Sequence, residues 1–415
     1  MKRCVLSLTF LLMSLAAFCT KYQMVNLSTS TIFNEISSKK AATSDMVFSK
    51  VVSQTSEDGE SPEEMCNVGN KYYKEGKYRE AAEWFEKAAN QGYSEAQNNL
   101  GVCYANGEGV VQNYEKAVFW YEKAANQGDA QAQNNLGFCY YNGQGVVQNY
   151  EKAAYWIEKA ANQGDAQAQY NLGFCYHKGQ GVVQNYEKAV YWYEKAANQG
   201  IAQAQCNLGG CYKIGRGVGQ SYEKAVYWYE KAANQGYADA QYNLGVCYDK
   251  GQGVVQNYEK TVYWYEKAAN HGYAQAQYNL GLCYDNGRGV VQSYEKAVFW
   301  LEKAANQGFA LAQLNLGFCY DKGQGVVQSD QNAAYWYEKA ANQGDAEAQC
   351  NLGLCYVKGQ GVVQSYEKAA YWFKKAANQG DAQAQQALCI CYENGLGVKK
   401  DLKKAKFWRD KSGIK

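Results

Sequence analysis

Residues 165–200 read DAQAQYNLGFCYHKGQGVVQNYEKAVYWYEKAANQG, from Asp165 to Gly200, and this stretch decides the fold. Ala168, Leu172, Cys175 and Tyr176 recur at the three- and four-residue spacing that gathers side chains on one face of an α-helix. Gly179 follows, where glycine can take the left-handed conformation that ends a helix without a Cβ penalty. A loop Gly-x-Gly-Val-Val then leads to Asn185, an expected N-cap. The second helix is predicted to bury Tyr186, Ala189, Tyr193 and Ala196 before Gly200 closes it. Two antiparallel helices are thus predicted for every 36 residues.

The same 36 residues recur along the chain. All ten tryptophans fall on one grid: Trp84, Trp120, Trp156, Trp192, Trp228, Trp264, Trp300, Trp336, Trp372 and Trp408. Nine units run from Tyr93 to the C-terminus, and repetition at this period marks a solenoid whose units pack on their neighbours. The position before the second helix holds Asn113, Asn149, Asn185, Ser221, Asn257, Ser293, Ser329, Ser365 and Asp401. Each is a good acceptor for the unpaired amides of a first helical turn.

The ends of the array are adapted to being ends. Ser61-Pro62-Glu63-Glu64 combines a capping box with proline at the first helical position. The first unit, residues 61–92, lacks the longer glycine loop between Glu75 and Arg79, so it is similar to an ordinary tetratricopeptide repeat. The last unit carries many lysines from Lys399 to Lys415, as expected of a basic cap that keeps the exposed final face soluble.

The pattern A-x-Y-N-L-G-x-x-Y-x-x-G-x-G-V, then Y-E-K-A-x-x-W-Y-E-K-A-A-x-x-G, resembles the Sel-1-like repeat, a variant of the tetratricopeptide family. The resemblance runs from Tyr93 to about Lys411. It implies an all-α, right-handed superhelical solenoid that scaffolds protein complexes, and it names no particular partner.

Columns of the repeat differ in how much they vary. Those of Ala96, Leu100 and Tyr104 are uniform in all nine units. A first variable column runs Asn98, Asn134, Tyr170, Cys206, Tyr242, Tyr278, Leu314, Cys350, Gln386. A second runs Val102, Phe138, Phe174, Gly210, Val246, Leu282, Phe318, Leu354, Ile390. A third runs Ala105, Tyr141, His177, Lys213, Asp249, Asp285, Asp321, Val357, Glu393. Their spacing places them on one face of the first helix. By resemblance to tetratricopeptide repeats that face lines a concave groove, where aromatics mark a binding site. The candidate partner-binding residues are Phe138, Tyr141, Tyr170, Phe174, Tyr242, Asp249, Tyr278, Asp285, Phe318 and Asp321. The expected ligand is a protein or peptide segment with apolar anchors and a basic stretch facing the three aspartates.

Nine of the fifteen cysteines share one column: Cys103, Cys139, Cys175, Cys211, Cys247, Cys283, Cys319, Cys355 and Cys391. Packed helices lie about 8–10 Å apart, too far for a disulfide between successive units. A metal needs several converging ligands, and a column offers one per unit. Small buried thiols are the expectation. A cysteine-rich branch of the family, from a stomach bacterium, pairs cysteines eight apart to staple its helices. Lys195-Ala196-Ala197 stands here without a cysteine, so neither that staple nor the branch's suggested penicillin-binding activity carries over. Cys206, Cys350 and Cys389 lie outside the column; the first two are expected in the groove, as exposed thiols able to react.

Composition limits chemistry. Two histidines and one proline among 415 residues leave little for acid–base or metal catalysis, and a net charge of +2 gives no global pull toward nucleic acid or an acidic membrane. The Gly-x-Gly loops lack a third glycine and a preceding strand, so they read as turns rather than nucleotide sites. His177 and His271 each occur once and belong to no repeated pair. Neither catalytic residue, metal nor cofactor is expected, and a monomer is.

The N-terminus reads as an export signal. Lys2 and Arg3 precede an apolar core from Val5 to Leu15, then Ala16 and Ala17, with polar chain from Thr20. A signal peptide over 1–19 and a flexible leader over 20–60 are predicted, and with them a periplasmic or secreted protein. Cys19 suits lipid attachment, the one expected route to a membrane, but Phe18 stands where that processing prefers a small residue. A secreted effector or adhesin acting on a host would use the same groove.

Overall fold

A computed structural model describes residues 60–413. The expected signal peptide, Cys19 and the leader up to residue 59 lie outside them. Among the described residues there are 20 α-helices and no strand, and no helix is long and apolar enough to cross a membrane. The chain forms two compact units, dividing after Gln220.

The first unit holds α1 (Pro62–Lys74), α2 (Tyr78–Asn90), α3 (Ser94–Asn106), α4 (Tyr114–Asn126), α5 (Ala130–Asn142), α6 (Tyr150–Asn162), α7 (Ala166–Lys178), α8 (Tyr186–Asn198) and α9 (Ala202–Ile214). The second begins with α10 (Tyr222–Asn234), α11 (Ala238–Lys250), α12 (Tyr258–Asn270), α13 (Ala274–Asn286) and α14 (Tyr294–Asn306). It continues through α15 (Ala310–Lys322), α16 (Asp330–Asn342), α17 (Ala346–Lys358), α18 (Tyr366–Asn378), α19 (Ala382–Asn394) and α20 (Leu402–Ser412). Within each unit every helix packs on the one before and the one after. This is the tandem pairing the 36-residue period predicts.

Capping sets the helix boundaries. Ser61 accepts from the Glu64 amide at 3.2 Å while the Glu64 carboxylate accepts from the Ser61 amide at 2.8 Å, completing the predicted capping box. All nine predicted N-caps of the second helices accept a first-turn amide, as Asn185 does from Lys188 at 2.8 Å. The first helices differ among themselves. Asp129, Asp165, Asp345 and Asp381 cap theirs, whereas Tyr93, Ile201, Tyr237, Tyr273 and Phe309 make no side-chain cap bond.

The core of each pair is a small residue against a large one. A Cβ on Gly101 would stand 2.7 Å from the Tyr121 ring, so α3 needs a glycine in mid-helix despite its cost of roughly 1 kcal/mol there. The column of large residues is Phe85, Tyr121, Ile157 and Tyr193 in the first unit, all buried. In the last repeat Arg409 occupies the ring position and pairs with Glu393, and there Cys389 replaces the helix glycine. A flexible arginine side chain can give way to the Cys389 side chain, where a β-branched Ile157 or a ring cannot. Ala168, Leu172, Cys175, Tyr176, Ala189, Tyr193 and Ala196 are buried as predicted, but Tyr186 is only half-buried, because it opens the helix beside solvent.

Candidate functional site

Two ladders fix one repeat on the next. At the end of α4, Gln127 Nε2 donates to Gln97 Oε1 at 2.7 Å, and Gln97 Nε2 donates to the Ala89 carbonyl of α2 at 3.1 Å. Gln163–Gln133 and Gln199–Gln169 repeat the relay at 2.8 Å, as do Gln307–Gln277 and Gln343–Gln313 in the second unit. The second ladder joins first helices: Asn135 Nδ2 donates to Asn98 Oδ1, and Asn171 Nδ2 to Asn134 Oδ1, both at 3.0 Å. In the second unit the acceptor is a phenol, Tyr278 receiving from Asn315 at 3.1 Å.

The first variable column is therefore turned toward the neighbouring repeat. Tyr170 and Tyr278 are buried, 2% and 4% exposed. The Tyr170 ring lies 5.9 Å from that of Tyr193, and Tyr278 lies 5.2 Å from Phe309. Tyr242 is half-buried and packs on Tyr265 and Tyr273 at 5.8 and 5.1 Å. Burial pushes both the Tyr242 and Tyr278 hydroxyls up to about 12. Among the second-column residues, Phe174 is buried at 1% exposed, while Phe138 and Phe318 are half-buried.

The third column also pairs forward, with the loop of the next repeat. Tyr141 donates its hydroxyl to Gln180 Oε1 at 2.6 Å and sets its ring edge-on to Tyr150 at 5.1 Å. Asp249 meets Arg288 at 3.4 Å, and the Arg288 guanidinium lies 5.1 Å over the Tyr258 ring. Asp321 pairs with its neighbour Lys322 at 2.7 Å, and burial raises the Asp285 carboxyl above its usual value. All three aspartates keep part of their surface, so the face they share is acidic but partly neutralised.

One expectation is corrected. Cys206 and Cys350 are buried, 3% and 2% exposed, because their column packs between repeats rather than into an open groove. The cysteine column is buried too, and burial pushes the thiols of Cys103, Cys139, Cys175, Cys211 and Cys283 up to about 12. His177 is buried edge-on against Tyr186 at 5.3 Å, and burial, with Arg216 and Lys178 nearby, lowers it to about 4. It stays neutral at pH 7. Among the described residues no three His, Cys, Asp or Glu side chains are grouped to hold a metal ion.

One surface went unread in the sequence. Phe119, Tyr155 and Tyr191 in the first unit are each half-exposed at 51–52%, and the same position in the second unit holds Tyr227, Tyr263, Phe299, Tyr335, Tyr371 and Phe407. Each lies edge-on to the following tryptophan, as Phe119 does to Trp120 at 5.0 Å, while Lys123 stands over both rings at 4.5 and 4.7 Å. The signal was the aromatic triplet Phe119-Trp120-Tyr121. At about 100° per residue, three consecutive rings cannot all face a core. Val111, Val147 and Val183 in the loops are 89% exposed.

The Sel1 repeat model matches ten consecutive stretches: 65–93, 94–129, 130–165, 166–201, 202–237, 238–273, 274–309, 310–345, 346–381 and 382–410. It counts the first helix pair, with its shorter loop, among them. The structure is similar to that of a protective antigen present in uropathogenic Escherichia coli strains displaying an SLR fold, with 36% identity and a TM-score of 0.75, covering 92% of this chain and 79% of that one. It is also similar to a Sel1 repeat protein from Oxalobacter formigenes, with 33% identity and a TM-score of 0.58, covering 82% and 97%. A stretch of 51 residues is 41% identical to HcpE of Helicobacter pylori, named as a candidate beta-lactamase, but spans only 12% of this chain and 14% of that protein. With matches running from residue 65 to residue 410, the chain belongs to the Sel1 repeat family.

Proposed function

We propose that this protein is an exported scaffold that holds a partner protein or peptide along the variable face of its first helices. The observation carrying the reading is the contrast between a fixed frame and a varied face. Glutamine relays and glycine–ring contacts hold the frame, while half-buried Phe138 and Tyr141, and in the second unit Tyr242, Phe318, Asp249, Asp285 and Asp321, vary the face. Tyr170, Phe174 and Tyr278 shape that face from beneath, since their own side chains are buried. The antigen with a similar fold supports an exported location, as does the basic and apolar N-terminal sequence. An effector or adhesin acting on a host would be the same scaffold with its partner outside the cell.

The half-exposed aromatic row on the second helices favours a second reading, in which the partner lies along that side. A capture experiment from the native source separates them. Loss of a partner with Phe138→Ala and Phe318→Ala, but not with Tyr155→Ser and Tyr191→Ser, supports the first-helix face. The reverse pattern moves the site to the second helices. Capture unaffected by either pair would overturn both. A hydrolase reading would rest on the short HcpE match alone, which spans 14% of that protein.

A further inference from the structure

A cavity of about 210 Å³ lies in the first unit where α3 and α4 meet the next repeat. Ala105, Tyr114, Phe138 and Gln144 line it, with buried Tyr121 and Cys139 beneath them. The repeats on either side show what it lacks. Ala105 occupies the third-column position, which in the preceding repeat is Tyr73 and in the following repeat Tyr141. Tyr141 sets its ring 5.1 Å from Tyr150 and 6.4 Å from Phe174, and its hydroxyl donates to Gln180 at 2.6 Å. Tyr73 does the same with Tyr78 at 5.1 Å and Phe85 at 6.4 Å, its hydroxyl donating to Glu108.

One repeat earlier, Tyr150 corresponds to Tyr114, Phe174 to Phe138 and Gln180 to Gln144; one repeat later, Phe85 corresponds to Tyr121. All four line the cavity. The site thus retains the aromatic walls and the acceptor that hold a tyrosine next door, and supplies only a methyl group in its place. Its volume is sufficient, since an apolar cavity of about 150 Å³ already holds benzene. Exposed Asn106 at its rim gives a way in.

We propose that this cavity receives the phenolic ring of a tyrosine presented by a partner protein, with Gln144 Oε1 accepting its hydroxyl. That a partner supplies the ring rests on the scaffold reading; the preference for a phenol does not. p-Cresol, toluene and N-acetyl-tyrosinamide serve as probes with the full chain, read by ligand-observed saturation transfer and titration. p-Cresol binds with Kd on the order of 1 mM, as fits a ligand of about eight heavy atoms. Ala105→Tyr abolishes that binding while the helical circular dichroism is kept, as Tyr73 and Tyr141 at the same position lead one to expect. Gln144→Leu weakens p-cresol about fivefold and leaves toluene unchanged. N-Acetyl-tyrosinamide competes with p-cresol. Equal p-cresol binding by the wild type and Ala105→Tyr, or none by the wild type, overturns the site. Failure of N-acetyl-tyrosinamide to compete overturns the tyrosine assignment and leaves a pocket for a free phenol, whatever the fate of the scaffold reading.

Discussion

Replacing His271 by glutamine should stabilise the second unit. Gln241 occupies the relay position, and its Nε2 donates to the Ala233 carbonyl at 3.2 Å. Its Oε1 is buried without a partner. In the other relays the donor to that oxygen comes 30 residues later, as Gln307 to Gln277 at 2.8 Å, and 30 residues after Gln241 stands His271. A buried acceptor left unpaired costs about 1–3 kcal/mol, and a typical bond returns about 1 kcal/mol net. His271→Gln should therefore gain about 1 kcal/mol, a factor of about five in the local opening equilibrium. Because repeat arrays need not unfold in one step, native-state amide hydrogen exchange over α10 to α12 is the suitable readout. The expected result is about fivefold slower exchange there, with α18 to α20 unchanged. The converse, Gln307→His, orphans Gln277 and should speed exchange over α13 and α14 by at least the same factor. Unchanged protection in both variants would refute the claim that the relay holds successive repeats together.

Other consequences follow from the same contacts. Asn351 Nδ2 is buried without a partner, because Leu314 stands where Tyr278 accepts from Asn315; Asn315→Ala should cost about 1 kcal/mol more than Asn351→Ala in urea unfolding. Gly101→Ala places a methyl against the Tyr121 ring and should destabilise by about 1–3 kcal/mol, whereas Cys389→Ala, with Arg409 opposite, should cost less than 1 kcal/mol by the same measurement. Burial raises the Asp165 carboxyl, against the lowering effect of its cap bond to the Ala168 amide. Its charge therefore penalises the fold, a penalty absent below the ordinary aspartate range and fully present above the raised value. Asp165→Asn keeps the cap acceptor, so it should match the wild type near pH 3 and exceed it near pH 7 in thermal unfolding. Iodoacetamide at pH 8 should leave Cys103, Cys175 and Cys350 unlabelled in the native protein and label them in urea, read by mass spectrometry of their peptides; native labelling of Cys350 would restore the reactive-thiol expectation.

The frame was legible because its signals are local. Glycine before the loop, an Asn or Ser cap after it and a helical stripe through Leu172 and Cys175 each act within a few residues, and their recurrence removes ambiguity. The variable columns were harder to read because their partners are not local. Asn98 is explained by Asn135, Asp249 by Arg288 and Tyr141 by Gln180, at separations of 37, 39 and 39 residues. Such pairs become neighbours only once one repeat is stacked on the next. Variation in these columns, beside the uniform Ala96, Leu100 and Tyr104 columns, points from sequence alone to partner binding. A residue can also vary because its neighbour in the stack varies with it, and that cause has no local signature.

That coupling alters what a binding face means in such an array. A column that varied freely for a ligand would change without regard to the next repeat. Here Tyr242 faces Tyr273 and Tyr278 faces Phe309, where the first helix is entered by an uncapped aromatic. Cys350 instead has its thiol raised by burial and by the capping Asp381 carboxylate nearby. Residues wholly buried against their neighbours, as Tyr278 is, have little free energy left for a partner, however aromatic they are. The positions with most to offer are those where the match is broken. Ala105 is one, since the ring that fills the equivalent site in the repeats on either side is absent and its walls remain. A search for function in near-identical repeats should therefore begin where an internal pairing fails, because there a ligand can complete a contact that the chain leaves incomplete.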